Sequence, residues 1–169
     1  MELKLKPISR AGLAEAISKA EVYRYLNEPG EAESICRDIL VVEPDNQAAL
    51  RLLGLAITDQ FVGDMSDRYL EAERLFGGLS SEYERVYHLG IFQERKAKAQ
   101  LRAGRPPHIV YPIFEEAMGL FEAAERIRPP NNDESILRWN RCVRLLQGRP
   151  AYEWIKEMEE FDASEGPPV

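Results

Sequence analysis

The sequence contains few of the residues on which secreted, membrane-spanning or metal-binding proteins depend. Its 169 residues include two cysteines, Cys36 and Cys142, and two histidines, His88 and His108. Two distant cysteines cannot build the dense disulfide framework of a small secreted domain, and they fit a reducing compartment. The apolar runs are too short to span a bilayer, and the first residues lack the apolar stretch of a secretory signal. We therefore expect a cytoplasmic protein.

Basic residues are outnumbered by acidic ones. The chain has 22 Lys and Arg against 29 Asp and Glu, which gives a formal net charge of -7. This balance disfavours generic binding to nucleic acid or to an anionic membrane surface. Basic or amphipathic proteins are the partners that the charge favours.

Motifs for catalysis or cofactor binding are also missing. Neither histidine has a Cys, His or carboxylate partner at the spacing of a zinc site, and the glycines fit neither the dinucleotide fingerprint nor the Walker pattern. Adjacent acids such as Glu115 and Glu116 point in different directions on a helix, which is poor geometry for an acid and a base acting on one bond. We expect no enzyme activity, no cofactor and no metal ion, with structural roles for the thiols and imidazoles.

Apolar residues recur every three or four positions, and the alternation typical of strands is missing, which predicts an all-α fold. Ser9 and either Asp45 or Asn46 are the expected N-caps of the first and third helices. The predicted helices cover residues 9–26, 30–43, 48–61, 67–79 and 81–103, then a sixth ending before 129–130, a seventh from Asn132 or Asp133 to Gln147, and a short eighth.

These helices predict four parts of the chain. Residues 1–8 form an N-terminal segment, 9–147 a helical repeat domain, 148–162 a C-terminal capping helix, and 163–169 a disordered tail. The capping helix is predicted from its amphipathic pattern of large apolar residues, namely Tyr152, Trp154, Ile155, Met158 and Phe161.

Self-similarity along the helix pairs is the strongest pattern in the sequence. Small residues recur at Ala20, Gly54 and Gly90, which are 34 and 36 residues apart. In the second helix of each pair, a small residue is followed four positions later by a core residue: Ala32 and Cys36, Ala72 and Phe76, Ala117 and Phe121. We expect the small residues to lie where the two helices of a pair cross closely.

On these residues the region 9–147 resembles the tetratricopeptide repeat (TPR) family. The resemblance implies a right-handed superhelix of antiparallel helix pairs, with three TPR-like repeats followed by a degenerate fourth pair and the cap. It also implies a concave groove that binds a protein or peptide. Insertions before Ala72 and before Ala117 depart from the family pattern and alter the groove.

The groove positions can be assigned through the same resemblance. Family members that clamp a chaperone carboxylate need Lys and Asn on the first helix, where this chain has Ile17 and Glu21, so that clamp is absent. The remaining assignments predict a groove for an amphipathic helix or an extended segment. Its floor consists of Ile17, Leu55, Tyr87 and Ile91, and its rim of Glu21, Arg24, Arg51 and Glu94.

Three functions are compatible with the sequence. The first is a protein-binding adaptor, scaffold or assembly factor without catalysis of its own. The second is a small TPR-type secretion chaperone, which the length and acidity also fit and which would act as a homodimer. The third is an RNA-binding helical repeat, which the net charge of -7 disfavours.

Overall fold

The computed structural model describes residues 3–148 and Glu160, and the regular structure of this part of the chain is helical throughout. The prediction of an all-α fold is confirmed. A short 3-10 helix, Arg10–Gly12, precedes seven α-helices: α1 (Leu13–Tyr25), α2 (Pro29–Val42), α3 (Gln47–Asp59), α4 (Ser66–Gly77), α5 (Glu82–Arg102), α6 (Pro107–Arg126) and α7 (Glu134–Gln147). The predicted capping helix, 148–162, and the tail, 163–169, lie outside the described residues apart from Gly148 and Glu160.

Side-chain caps and prolines fix where several helices begin. Asn46 Oδ1 accepts a hydrogen bond from the Ala49 amide at 2.9 Å, so Asn46 is the cap of α3. Ser9 Oγ accepts from the Gly12 amide at 3.2 Å and therefore caps the 3-10 turn, with α1 beginning after it. Pro29 and Pro107 stand at the first positions of α2 and α6, where a missing N–H costs nothing.

Two of the helices, α1 and α5, are followed by residues that tolerate a left-handed backbone. Asn27 follows α1 with φ 60°, and Gly104 follows α5 with φ 79°. Both residue types adopt this conformation at little steric cost, which is why they terminate helices. The helix α1 thus ends just before Asn27. Pro29 does not break α1 but begins the next helix, α2.

Two compact units divide the helices. Of the described residues, unit 1 comprises 3–61 and 66–81 and holds α1 to α4. Unit 2 comprises 62–65 and 82–148 and holds α5 to α7. Among the described helices, none combines the length and the apolar composition that a bilayer span needs.

In unit 1 each helix packs against the next one along the chain, and α1 also contacts α3. One buried cluster joins α1, α2 and α3 through Leu13, Ile39 and Ala49. A close crossing joins α3 to α4, because a Cβ atom added at Gly54 would lie 2.8 Å from Phe76 Cζ. Consecutive helices of this unit therefore pack as neighbours, and at the α3–α4 crossing a small residue is matched to a large one.

In unit 2 the long helices α5 and α6 form the main contact, and α7 packs on α6 and also touches α5. The core contains the fully buried Phe92, Phe114 and Phe121. A Cβ atom added at Gly90 would lie 2.6 Å from Phe121 Cε1, well inside van der Waals contact. The prediction that Gly54 and Gly90 lie at close helix crossings is thus confirmed.

Candidate interaction face

The helices α1 and α3 display five of the predicted groove residues on unit 1. On α1, Ile17, Glu21 and Arg24 follow one another at intervals of four and three residues, so they lie along one side of that helix. On α3, Arg51 and Leu55 are four residues apart and do the same. All five are partly exposed, and since α1 contacts α3, they belong to one surface of unit 1. We name this surface the α1–α3 face.

An ion pair that the sequence analysis did not predict links the two helices of this face. Arg24 Nε donates to Asp59 Oδ2 at 2.6 Å, and both side chains keep some exposure, 19% and 23%. Charge-assisted hydrogen bonds of this length are among the stronger ones in proteins. Asp59 stands four residues after Leu55, so the spacing along α3 could have identified it as part of the face.

The apolar residues of the face differ in how they are held. Ile17 packs against the buried cluster of Leu13, Ile39 and Ala49, so it supports the core as well as facing outward. Leu55 keeps partial exposure between Arg51 and Asp59 on α3. Of the two apolar residues of this face, Leu55 is therefore the one that can be changed with the smaller effect on the core.

The remaining three predicted groove residues lie on α5 of unit 2 and are buried. Tyr87 is 7% exposed, Ile91 2% and Glu94 0%. The Tyr87 ring stacks on Tyr83 with 5.7 Å between centroids, and it lies 6.1 Å from the ring of Phe121 on α6. Such burial gives these three residues a packing role and argues against direct contact with a partner.

Glu94, expected on the groove rim, is instead the centre of an internal ion-pair group. Its carboxylate accepts hydrogen bonds from Lys98 Nζ on the same helix and from Arg138 Nη1 on α7, the latter at 3.3 Å. Burial opposes the charge of Arg138, but Glu94 and Tyr87 outweigh that effect and raise the pKa of the guanidinium. A buried carboxylate needs such partners, because an unpaired charge in the interior is very costly.

A second ion-pair group connects α2 to α4 in unit 1. Glu33 accepts from Arg68 at 2.6 Å, from Arg37 at 2.7 Å and from Gln60 at 2.7 Å. Arg37 also donates to Glu71 at 2.8 Å. The hydrogen bond from Arg68 is the main cause that lowers the pKa of Glu33 from 4.5 to about 2, although burial opposes it. Sequence reasoning did not predict this group.

A surface depression of about 430 Å³ is bordered by α4 and the beginning of α3. Three leucines give it apolar walls, and Leu70 among them is 46% exposed. Its border also carries both charge signs. The complete lining consists of Leu50, Asp67, Leu70, Glu71, Arg74, Leu75 and Gly78. Unit 1 thus offers a second partly apolar surface, and it is separate from the residues predicted for the groove.

The two thiols and the imidazole of His88 are buried. Cys36 and Cys142 are free and fully buried, and burial raises the pKa of each thiol to about 12. The prediction of buried thiols is confirmed. His88 is 5% exposed, with Nδ1 2.7 Å from the carbonyl oxygen of Glu84. Within residues 3–148 and Glu160, no three His, Cys, Asp or Glu side chains are grouped as a metal site would require.

Comparison with known proteins adds no relative, since no family model, no curated protein and no solved structure matches the chain. The resemblance to TPR proteins therefore depends on the residues and contacts of this chain alone.

The arrangement on unit 1, a partly exposed face with two apolar side chains among ionised ones, suits binding of another protein segment.

Proposed function

We propose that this chain is a TPR-like helical repeat protein that binds a partner protein or peptide on the α1–α3 face. It would act as an adaptor, scaffold or assembly factor in the cytoplasm, without catalysis of its own. The observation that carries the proposal is a set of side-chain contacts between residues that are one repeat length apart.

Three contacts have this spacing. Arg24 and Asp59 are 35 residues apart and link α1 to α3. Two further contacts link α2 to α4, and they join Glu33 to Arg68 and Arg37 to Glu71, which are 35 and 34 residues apart. In stacked repeats each unit contacts its neighbour, so residues separated by one period come together. The period of a TPR is 34 residues.

The helix crossings support the same proposal independently. In the pair α3–α4, Gly54 faces Phe76, and in the pair α5–α6, Gly90 faces Phe121. The same contact, between a glycine of the first helix and a phenylalanine of the second, thus occurs in both pairs. In α1–α2 the corresponding residues are Ala20 and Cys36, and both are fully buried. Here alanine takes the place of the smaller glycine, and cysteine takes the place of the larger phenylalanine. A superhelical course of the repeats is part of the proposal.

The composition of the α1–α3 face indicates the kind of partner. Leu55 and the outer part of Ile17 provide apolar contact, whereas Glu21, Arg51 and the Arg24–Asp59 pair provide ionised groups of both signs. A segment with one apolar side and charges along its edges, either an amphipathic helix or an extended strand, complements this composition. The affinity is expected to depend on Leu55 if it lies at the desolvated centre of the interface, because a few central residues carry most of the binding energy.

Affinity purification from the native cells, followed by quantitative mass spectrometry, tests this proposal. Leu55→Glu places a charge on the face, and the expected result is a loss of at least about tenfold in recovered partner, equivalent to roughly 1.4 kcal/mol. Val41→Glu is the matched control, since Val41 on α2 is 75% exposed and lies outside the face. Equal recovery of the same partners by both folded variants would reject the α1–α3 face as the binding surface.

A further inference from the structure

The side of α1 that faces away from the core is unusually apolar for a surface. Leu13 and Ala20 are the residues that α1 buries. On the opposite side the helix exposes Val22 at 53%, Tyr25 at 85% and the following Leu26 at 65%. Single exposed apolar residues are common, but three within one helical turn form a patch of the kind that contacts another protein.

The residues along this side are arranged symmetrically about Ser18. Val22 stands four positions after Ser18 and Ala14 four positions before it, while Tyr25 stands seven after and Ala11 seven before. All five are exposed: Ala14, Ser18, Val22 and Tyr25 lie on the outer side of α1, and Ala11 precedes them in the 3-10 turn. We call this set the row. Large residues therefore fill one half of the row and small residues the other half.

From this symmetry we infer that two copies of the chain associate by packing α1 against α1 in antiparallel orientation, with Ser18 at the twofold axis. In such a pair Val22 of each copy faces Ala14 of the other, and Tyr25 faces Ala11. Each large side chain thus meets a small one, and the same contact forms twice, as an isologous interface requires.

The charges beside the row are complementary in the same arrangement. Glu15 and Lys19 lie on one flank of the row, together with Leu26. A twofold axis between antiparallel helices turns this flank of one copy toward the same flank of the other. Glu15 of each copy then lies beside Lys19 of its partner, which gives two reciprocal ion pairs. A parallel pairing would set like residues side by side instead.

The surface also has a depression that can receive side chains of a second helix. A depression of about 340 Å³ runs along the flank and is bordered by Glu15, Ser18, Lys19, Val22, Tyr23 and Leu26. Because α1 has 13 residues and is about 20 Å long, the contact is small, and the dimer is expected to dissociate in the micromolar range. Ile17 and Arg24 lie on another side of α1, so the inference does not depend on the proposed function.

Charge exchange in the full-length protein tests the ion pairs. Sedimentation equilibrium should show a monomer–dimer equilibrium for the wild type. Glu15→Lys alone and Lys19→Glu alone should each raise the dissociation constant at least about fivefold, because like charges then meet twice. The double variant, Glu15→Lys with Lys19→Glu, should return it to near the wild-type value. A wild type that stays monomeric, or a double variant as weak as the single ones, would overturn the inference.

A cysteine at the axis tests the register. Ser18→Cys places two thiols opposite each other, and mild oxidation should convert most of the protein to a covalent dimer. Ser34→Cys, at an exposed position of α2, is the control and should stay largely monomeric. The native Cys36 and Cys142 are buried and do not interfere. Equal crosslinking at both positions, or crosslinking at Ser34→Cys alone, would contradict the register.

Discussion

The ring of Phe121 lies directly over the backbone of Gly90, with Cε1 2.6 Å from the place where a Cβ atom would stand. The close contact is possible because position 90 has no side chain. Gly90→Ala should therefore overpack the crossing of α5 and α6 and lower the free energy of unfolding by about 1–3 kcal/mol, measured by urea denaturation.

Gly119→Ala on α6 is the matched control for this substitution. Gly119 is exposed, and no atom lies within 4 Å of its Cβ position, so alanine should stabilise the helix by about 0.5–1 kcal/mol. If Gly90→Ala and Gly119→Ala change the free energy of unfolding in the same direction and by the same amount, the close packing of Phe121 over Gly90 is refuted.

A second prediction concerns Glu33 and pH. Because the folded state lowers the pKa of Glu33 from 4.5 to about 2, the unfolded state binds the proton more tightly. The stabilisation is complete above pH 4.5 and is lost as the pH falls toward 2. Denaturation curves of Glu33→Gln at neutral pH should show a loss of about 1–3 kcal/mol, since Arg68 and Arg37 lose an ionised partner.

The pH dependence distinguishes the ionised carboxylate from simple packing. The difference in stability between the wild type and Glu33→Gln should shrink between pH 4.5 and pH 2, where the wild type itself becomes protonated. Glu31→Gln, at an exposed position on the same helix, should have little effect on stability at neutral pH. A difference for Glu33→Gln that stays constant over this range would contradict the account.

The third prediction separates the buried from the exposed members of the predicted groove. Glu94→Ala leaves Arg138 without its buried partner and should cost about 3–5 kcal/mol. Leu55→Glu changes a partly exposed residue and should cost less than about 1 kcal/mol. Thermal unfolding followed by circular dichroism measures both. A larger loss for Leu55→Glu than for Glu94→Ala would reverse the assignment of exposed and buried residues.

The difference between these two residues shows where sequence reasoning was sufficient and where it was not. Helix positions followed from apolar spacing, and their ends from prolines, asparagines and glycines, with shifts of a few residues. Phe76 and Phe121 were already aligned with Gly54 and Gly90 by the repeat. These features depend on the local chemistry of each segment and on the repeat length, and both can be read from a single sequence.

The burial of Glu94 could not be predicted in the same way. A glutamate followed four residues later by Lys98 has the pattern of a solvated helix surface. Its second partner, Arg138, is 44 residues away on α7, at a separation that no repeat explains. Asp59 was missed for a different reason, since it lies outside the repeat positions that were compared. Interactions between distant charged residues become apparent only when the helices are placed in space.

The fourth prediction concerns the thiols. Because burial raises the pKa of Cys36 and Cys142 to about 12, neither should be ionised at neutral pH. A thiol reagent that reports by absorbance should react with neither in the folded protein and with both after denaturation. Rapid reaction of one thiol in the native state would show that the position is accessible and would remove it from the core.

The most direct test of binding on the α1–α3 face is site-specific photo-crosslinking in the native cells. A photoreactive amino acid replaces Leu55 in one variant and Val41 in another, and the covalent products are identified by mass spectrometry. We expect a defined crosslink to a partner protein from position 55 and little or none from position 41. Crosslinks from position 41 to the same partner, with none from position 55, would contradict this expectation.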